Sequence, residues 1–132
     1  MKKYLVIGNP IEHSLSPRLQ NYWIKANNID AIYEKKRLNE DELESLILKV
    51  KQNKIQGINV TVPFKNKIIT YLDQLSLEAE NTKSVNTIYV NNNQIIGHNT
   101  DIAGFELSLK KIKYDVTGKK ILILGAGGVA PS

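Results

Sequence analysis

Short β-branched runs alternating with stretches of helical period constrain this chain more than any other feature. Tyr4-Leu5-Val6-Ile7 ends at Gly8-Asn9-Pro10 and reads as a buried strand feeding a turn. From Pro17, the positions Leu19, Tyr22, Trp23 and Ala26 follow helical spacing and Asn27-Asn28 closes the segment. Ala31-Ile32-Tyr33-Glu34 suggests a second strand, and Asn39 with Glu42 three residues on caps a helix carrying Leu43, Leu46, Ile47 and Val50 on one face. Gly57-Ile58-Asn59-Val60-Thr61-Val62 is a third strand stopped by Pro63. Strands separated by helices call for crossover connections, so the expected class is α/β, a mainly parallel open sheet with flanking helices.

Further along, Ile68-Ile69 and Tyr71-Leu72 suggest a short helix. Val85-Asn86-Thr87-Ile88-Tyr89-Val90 and Gln94-Ile95-Ile96-Gly97 flank Asn91-Asn92-Asn93 as a hairpin, expected at the sheet edge. Thr100-Asp101 opens a helix with Phe105, Leu109 and Ile112 on its apolar side, and residues 115–118 form a polar linker. Lys120-Ile121-Leu122-Ile123-Leu124 then reads as a new strand running into Gly125-Ala126-Gly127-Gly128-Val129-Ala130-Pro131-Ser132. A strand, a glycine turn and one turn of helix cannot bury their own apolar faces, so residues 104–132 are expected to be a connecting helix and the truncated start of a second unit. Residues 1–103 are the expected first domain.

Composition removes several classes of function. With 42% hydrophobic and 23% charged residues the chain can build a core and is no disordered tail. No apolar run nears the roughly 20 residues of a membrane helix and the start carries no signal-peptide pattern, so the expectation is cytoplasmic, with no membrane partner. Zero cysteines and two histidines argue for metal-free chemistry. The net charge of +5 suits a small anion or a phosphorylated cofactor; the basic residues are scattered as pairs without interleaved aromatics, which argues against nucleic acid.

Four sites stand out. Gly125, Gly127 and Ala130, directly after a strand and opening a helix, match the dinucleotide fingerprint G-x-G-x-x-G/A, making Gly125, Ala126, Gly127, Gly128, Val129 and Ala130 the candidate cofactor turn of a Rossmann-like domain. The residue that would choose NAD or NADP lies about 20 residues beyond such a turn, outside this sequence. Ser14-Leu15-Ser16-Pro17 sets two hydroxyls at a helix start, with Ser16 as N-cap, where a carboxylate would fit; the same wording is also an ordinary helix start. Lys65 lies just past a strand end, where open α/β sheets gather ligands, with Asn59 and Thr61 alternating toward one crevice. A lysine in a partly desolvated cleft can exchange a proton, and on a solvated face it does nothing. Asp101 is a further candidate, or simply an acid favourable to a helix N-terminus.

Taken in order, Gly8-Asn9-Pro10-Ile11-Glu12-His13-Ser14-Leu15-Ser16-Pro17, Gly57 through Lys65, Ser84-Val85-Asn86-Thr87, Gly97-His98-Asn99-Thr100-Asp101 and Gly125-Ala126-Gly127-Gly128 resemble the successive signatures of shikimate dehydrogenases. Gln20 departs from the family's usual histidine. The resemblance implies reversible reduction of 3-dehydroshikimate to shikimate with NADP(H), a step of aromatic amino-acid biosynthesis, by a monomer or homodimer. It implies that Ser14 and Ser16 hold the substrate carboxylate, that Asn59, Thr61, Asn86 and Asp101 bind ring hydroxyls, and that Lys65, paired with Asp101, is the proton donor. The 132-residue chain by itself is expected to be inactive. An NAD-dependent quinate/shikimate dehydrogenase and a non-catalytic small-molecule-binding module are the alternatives.

Overall fold

The computed structural model describes residues 1–132. The chain runs β1 (Lys2–Gly8), α1 (Ser16–Ala26), β2 (Ala31–Arg37), a 3-10 turn (Glu40–Glu42) leading into α2 (Leu43–Lys51), β3 (Gly57–Val60), a 3-10 helix (Lys67–Tyr71), β4 (Gln74–Leu75), α3 (Leu77–Thr82), β5 (Thr87–Asn91), β6 (Gln94–His98) and α4 (Asp101–Lys111). Six strands form one open sheet in the order β2-β1-β3-β5-β6-β4. β2, β1 and β3 are parallel, joined by the crossover helices α1 and α2, and β4 is parallel to β6. The β3–β5 and β5–β6 pairs are antiparallel, so the α/β sheet is mixed.

Side chains alternating along β1 divide the interior between the two faces of the sheet. Leu5 and Ile7 point, with Ile58, Val60 and Ile88, into the larger core, which α2 closes with Leu43, Leu46, Ile47 and Val50. Val6 points the other way, into a small cluster with Ile11 and Tyr33, against which Tyr4 and Ile24 pack. The α2 start follows the expected pattern: the Glu42 carboxylate accepts the Asn39 backbone N–H at 2.8 Å.

Several expectations are corrected. The hairpin forms at the anticipated residues, with Asn92 and Asn93 both at positive φ, but it lies inside the sheet because the two-residue β4 covers β6. On α1, Leu19, Tyr22 and Trp23 do recur at helical spacing, yet no α1 residue is buried and all three of these side chains are exposed. Residues 121–124 form no strand: all four side chains are exposed and no neighbouring strand supplies hydrogen bonds. The apolar side of α4 is likewise uncovered, with Phe105 and Ile112 exposed.

Four sheet features matter for function. β3 ends, β5 begins and β6 ends at the same end of the sheet, because Asn59 pairs with Thr87 and Thr87 with His98. β1 ends there too, with Val6 beside Asn59. The loops after β1 and β3, the lead-in to β5 and the start of α4 therefore converge.

The division of the α2 faces gives a direct check. Leu46→Ala opens a cavity at a position 1% exposed and should lower stability by about 2–5 kcal/mol, whereas Leu48→Ala, at 51% exposure, should change it by no more than about 0.5 kcal/mol; urea unfolding of both measures the difference.

Candidate active site

The loop after β3 turns at Pro63, buries Phe64 and brings Lys65 back under the sheet end. Lys65 is only 8% exposed, and its Nζ donates to Asp101 Oδ2 at 2.6 Å. A buried ammonium needs both a counter-charge and a fixed geometry. Asp101, the first residue of α4, supplies the charge, and its other oxygen accepts from Asn86 Nδ2 at 3.0 Å. Asn86 is held in turn, since its Oδ1 accepts from Thr100 N and Thr87 Oγ1, both at 3.0 Å. The Lys65 backbone is tied to the same stretch, Val85 N donating to Lys65 O at 2.8 Å.

Asn59 stands one strand away. Its Nδ2 donates to Asn86 O and Thr87 Oγ1, both at 3.2 Å, and its Oδ1 accepts the Tyr33 hydroxyl at 2.7 Å. The amide is thus engaged at both ends by the protein. Thr61 donates to Ile7 O at 3.0 Å and lies against Gly8, where an added Cβ would sit 2.3 Å from Thr61 Oγ1. The strand end requires glycine for that close approach.

Ser14 and Thr61 line one cavity of about 280 Å³ with Pro10, Ile11 and His13. Ser14 Oγ accepts the Ser16 N–H at 3.3 Å, and Ser16, expected as the N-cap, is instead the first residue of α1, with Leu15 at the N-cap position. The reason is local: Leu15 already has helical backbone angles, which moves the cap one residue back. The loop is anchored by Arg37, whose Nε donates to Asn9 Oδ1 at 3.0 Å and whose guanidinium lies 3.4 Å from Glu12. Backbone N–H donation holds the Glu12 carboxyl below the usual carboxylate range, with Arg37 adding to it.

At the far end, Gly125 has φ +110 and the backbone N–H groups of residues 125–129 donate to no acceptor within the chain. Open space lies before Gly125 and Gly127, Ala126 is exposed, and Val129 and Ala130 continue the turn, Ala130 N donating to Gly127 O at 3.0 Å. Free amides around an open glycine backbone fit a pyrophosphate. Gly128 faces inward instead, its Cα side packed on the Lys65 stem.

Residues 6–88 match the protein family described as the shikimate dehydrogenase substrate binding domain. The chain belongs to this family. It is 60% identical over 131 residues to the shikimate dehydrogenase (NADP(+)) of Pelagibacter ubique, covering 99% of this chain and 49% of that protein. Among solved structures, shikimate dehydrogenase 1 from Peptoclostridium difficile superposes with a TM-score of 0.93 at 36% identity, over 99% of this chain and 50% of that one. The Thermus thermophilus shikimate 5-dehydrogenase in complex with NADP(H) and shikimate gives 0.89 at 31% identity, over 99% and 49%. The chain therefore spans about half the length of the family members it matches.

Within the family frame, four residues stand beside those expected from the sequence. Tyr33, Ser84, Thr87 and Asn99 all hold the site together, and three of them are hidden in the sequence by distance. Tyr33 reaches Asn59 only because β2 and β3 flank β1. Thr87 gains meaning only from the β5 register, and Ser84 only from its bonds to Gly128 and Asn99. Asn99 could have been found, since an asparagine two residues before a helical aspartate is a side-chain cap.

Burial pushes the Tyr33 phenol from 10.0 up to about 12. Between those values the unfolded chain ionises and the folded one does not, so this contribution is full below pH 10 and is lost as pH rises toward 12. Tyr33→Phe should remove that alkaline fall and, by leaving Asn59 Oδ1 without its donor, lower stability at neutral pH by roughly 1–2 kcal/mol. Urea midpoints of both proteins across pH 7–11 check the two effects.

Proposed function

We propose that this chain is the substrate-binding part of an enzyme that reversibly reduces 3-dehydroshikimate to shikimate with NADPH. The buried Lys65–Asp101 pair, bridged by Asn86 at the sheet end, carries the reading. Ser14 and Ser16 hold the substrate carboxylate at the mouth of the cavity that Ser14 shares with Thr61, and Thr61, Asn86 and Asp101 meet the ring hydroxyls. Asn59 serves that set chiefly by fixing Asn86 and Thr87, its own amide being engaged.

NADPH, when bound, would supply the hydride that reduces the carbonyl carbon. Lys65 gives its proton to the carbonyl oxygen as negative charge develops there, and the product is the alcohol. In the oxidising direction the lysine takes that proton back. Asp101 keeps Lys65 aimed and neutralises its charge in a site with little water. The free amides of residues 125–129 would hold the cofactor pyrophosphate.

Residues 1–103 form the substrate-binding domain, and residues 104–132 begin the NADP-binding one. Hydride transfer needs the nicotinamide ring held against the substrate carbon. No strand follows α4 to help build a pocket for that ring, and the 132-residue chain alone should not oxidise shikimate. The protein works in the cytoplasm as a monomer or homodimer, without nucleic acid or membrane.

Lys65→Ala in the complete enzyme should lower kcat by about 10²–10⁴-fold with a smaller change in shikimate KM, because the proton moves only in the transition state. Near-normal kcat in steady-state assays would remove Lys65 from the chemistry. Ser14→Ala should act on KM instead, since a remote carboxylate contact is similar in ground and transition states. An unchanged KM would place the carboxylate elsewhere.

A further inference from the structure

α4 begins at Asp101, yet none of its residues is buried, so apolar packing does not fix where that carboxylate points. Its start is held by polar contacts from a residue outside the helix. Asn99 is 1% exposed. Its Oδ1 accepts the backbone N–H groups of Asp101 at 2.8 Å and Ile102 at 3.4 Å. Its Nδ2 donates to Ser84 O at 3.0 Å, with Ser132 Oγ at 3.1 Å and Thr82 Oγ1 at 3.3 Å also in reach.

Ser84 is followed by Val85, whose N–H holds the Lys65 carbonyl, and by Asn86, whose amide holds the Asp101 carboxylate. One three-residue strip thus carries both partners of the ion pair, and Asn99 adds a buried link between that strip and the α4 backbone beside the bonds Asn86 makes to Thr100 and Asp101. The glycine turn rests on the same seat, Ser84 Oγ donating to Gly128 O at 2.6 Å while Gly128 packs against the Lys65 stem.

We propose that Asn99 is a positioning residue: its buried amide clamps the start of α4 to the Ser84 backbone and thereby sets the distance and aim of Asp101 toward Lys65. A helix cap alone needs only the acceptor half of the side chain. The clamp needs the donor half as well. The two can be separated, because serine at position 99 keeps a hydroxyl acceptor for the helix N–H groups but is too short to span to Ser84 O.

This inference rests on the shikimate reading for its kinetic readout and has a second readout that does not. In the complete enzyme, Asn99→Ala and Asn99→Ser should both lose kcat by about 10²-fold, the scale of a misplacement near 1 Å, with little change in shikimate KM. Asn99→Ser should melt close to the parent, while Asn99→Ala melts lower. Independently of any substrate, a crystal structure of Asn99→Ser should show Lys65 Nζ and Asp101 beyond hydrogen-bonding distance. If Asn99→Ser restores kcat, the residue is only a cap. An Asn99→Ser protein that fails to fold, or one whose Lys65–Asp101 separation stays at 2.6 Å, overturns the clamp. A parent enzyme that ignores shikimate defeats the functional reading alone, since the separation still decides this one.

Discussion

A lysine ammonium and an aspartate carboxylate 2.6 Å apart, at the end of a sheet and largely out of water, are the contact on which the rest of this structure depends. Two charges removed from solvent lose much hydration, and their attraction offsets that loss only where the remaining polar atoms also find partners. Here they do. Asn86 takes the second carboxylate oxygen, Thr87 and Thr100 hold Asn86, and no buried side-chain polar atom in the protein lacks a partner. The surface ion pairs, such as Lys3 with Glu34 or Lys110 with Glu106, are solvated and contribute little by comparison.

The sheet makes this contact possible by changing direction. In the parallel half, β1 and β3 send their C-terminal loops to one end, as open α/β sheets do. The antiparallel pairings of β5 then bring its start, and the end of β6, to that same end. Asn86 and Asp101 come from segments more than 20 residues after Lys65, yet they meet it because the register Asn59–Thr87–His98 leaves no other place for them. Gly8 completes the arrangement by letting Thr61 close over the end of β1.

Much of the fold was legible in the sequence where local chemistry and burial agree. Leu43, Leu46, Ile47 and Val50 mark the buried face of α2, and the Asn91-Asn92-Asn93 turn marks the hairpin, because both signals act over a few residues. What was not legible depends on neighbours. Leu19, Tyr22 and Trp23 share the helical period of α2, but period alone does not say whether anything covers the helix. Residues 121–124 have the composition of a strand and no partner to pair with. The candidate site divides the same way: Lys65 and Asp101 stand at strand and helix ends that composition could mark, whereas the Tyr33–Asn59 bond exists only once β2, β1 and β3 lie side by side.

The role of the Lys65–Asp101 pair is decided by where the substrate sits. A crystal structure of the complete enzyme with shikimate measures it most directly. The predicted result is one ring hydroxyl within hydrogen-bonding distance of both Lys65 Nζ and the Asp101 carboxylate, with the shikimate carboxylate against Ser14. Shikimate bound away from this sheet end, with the Lys65–Asp101 pair facing only protein, would contradict it.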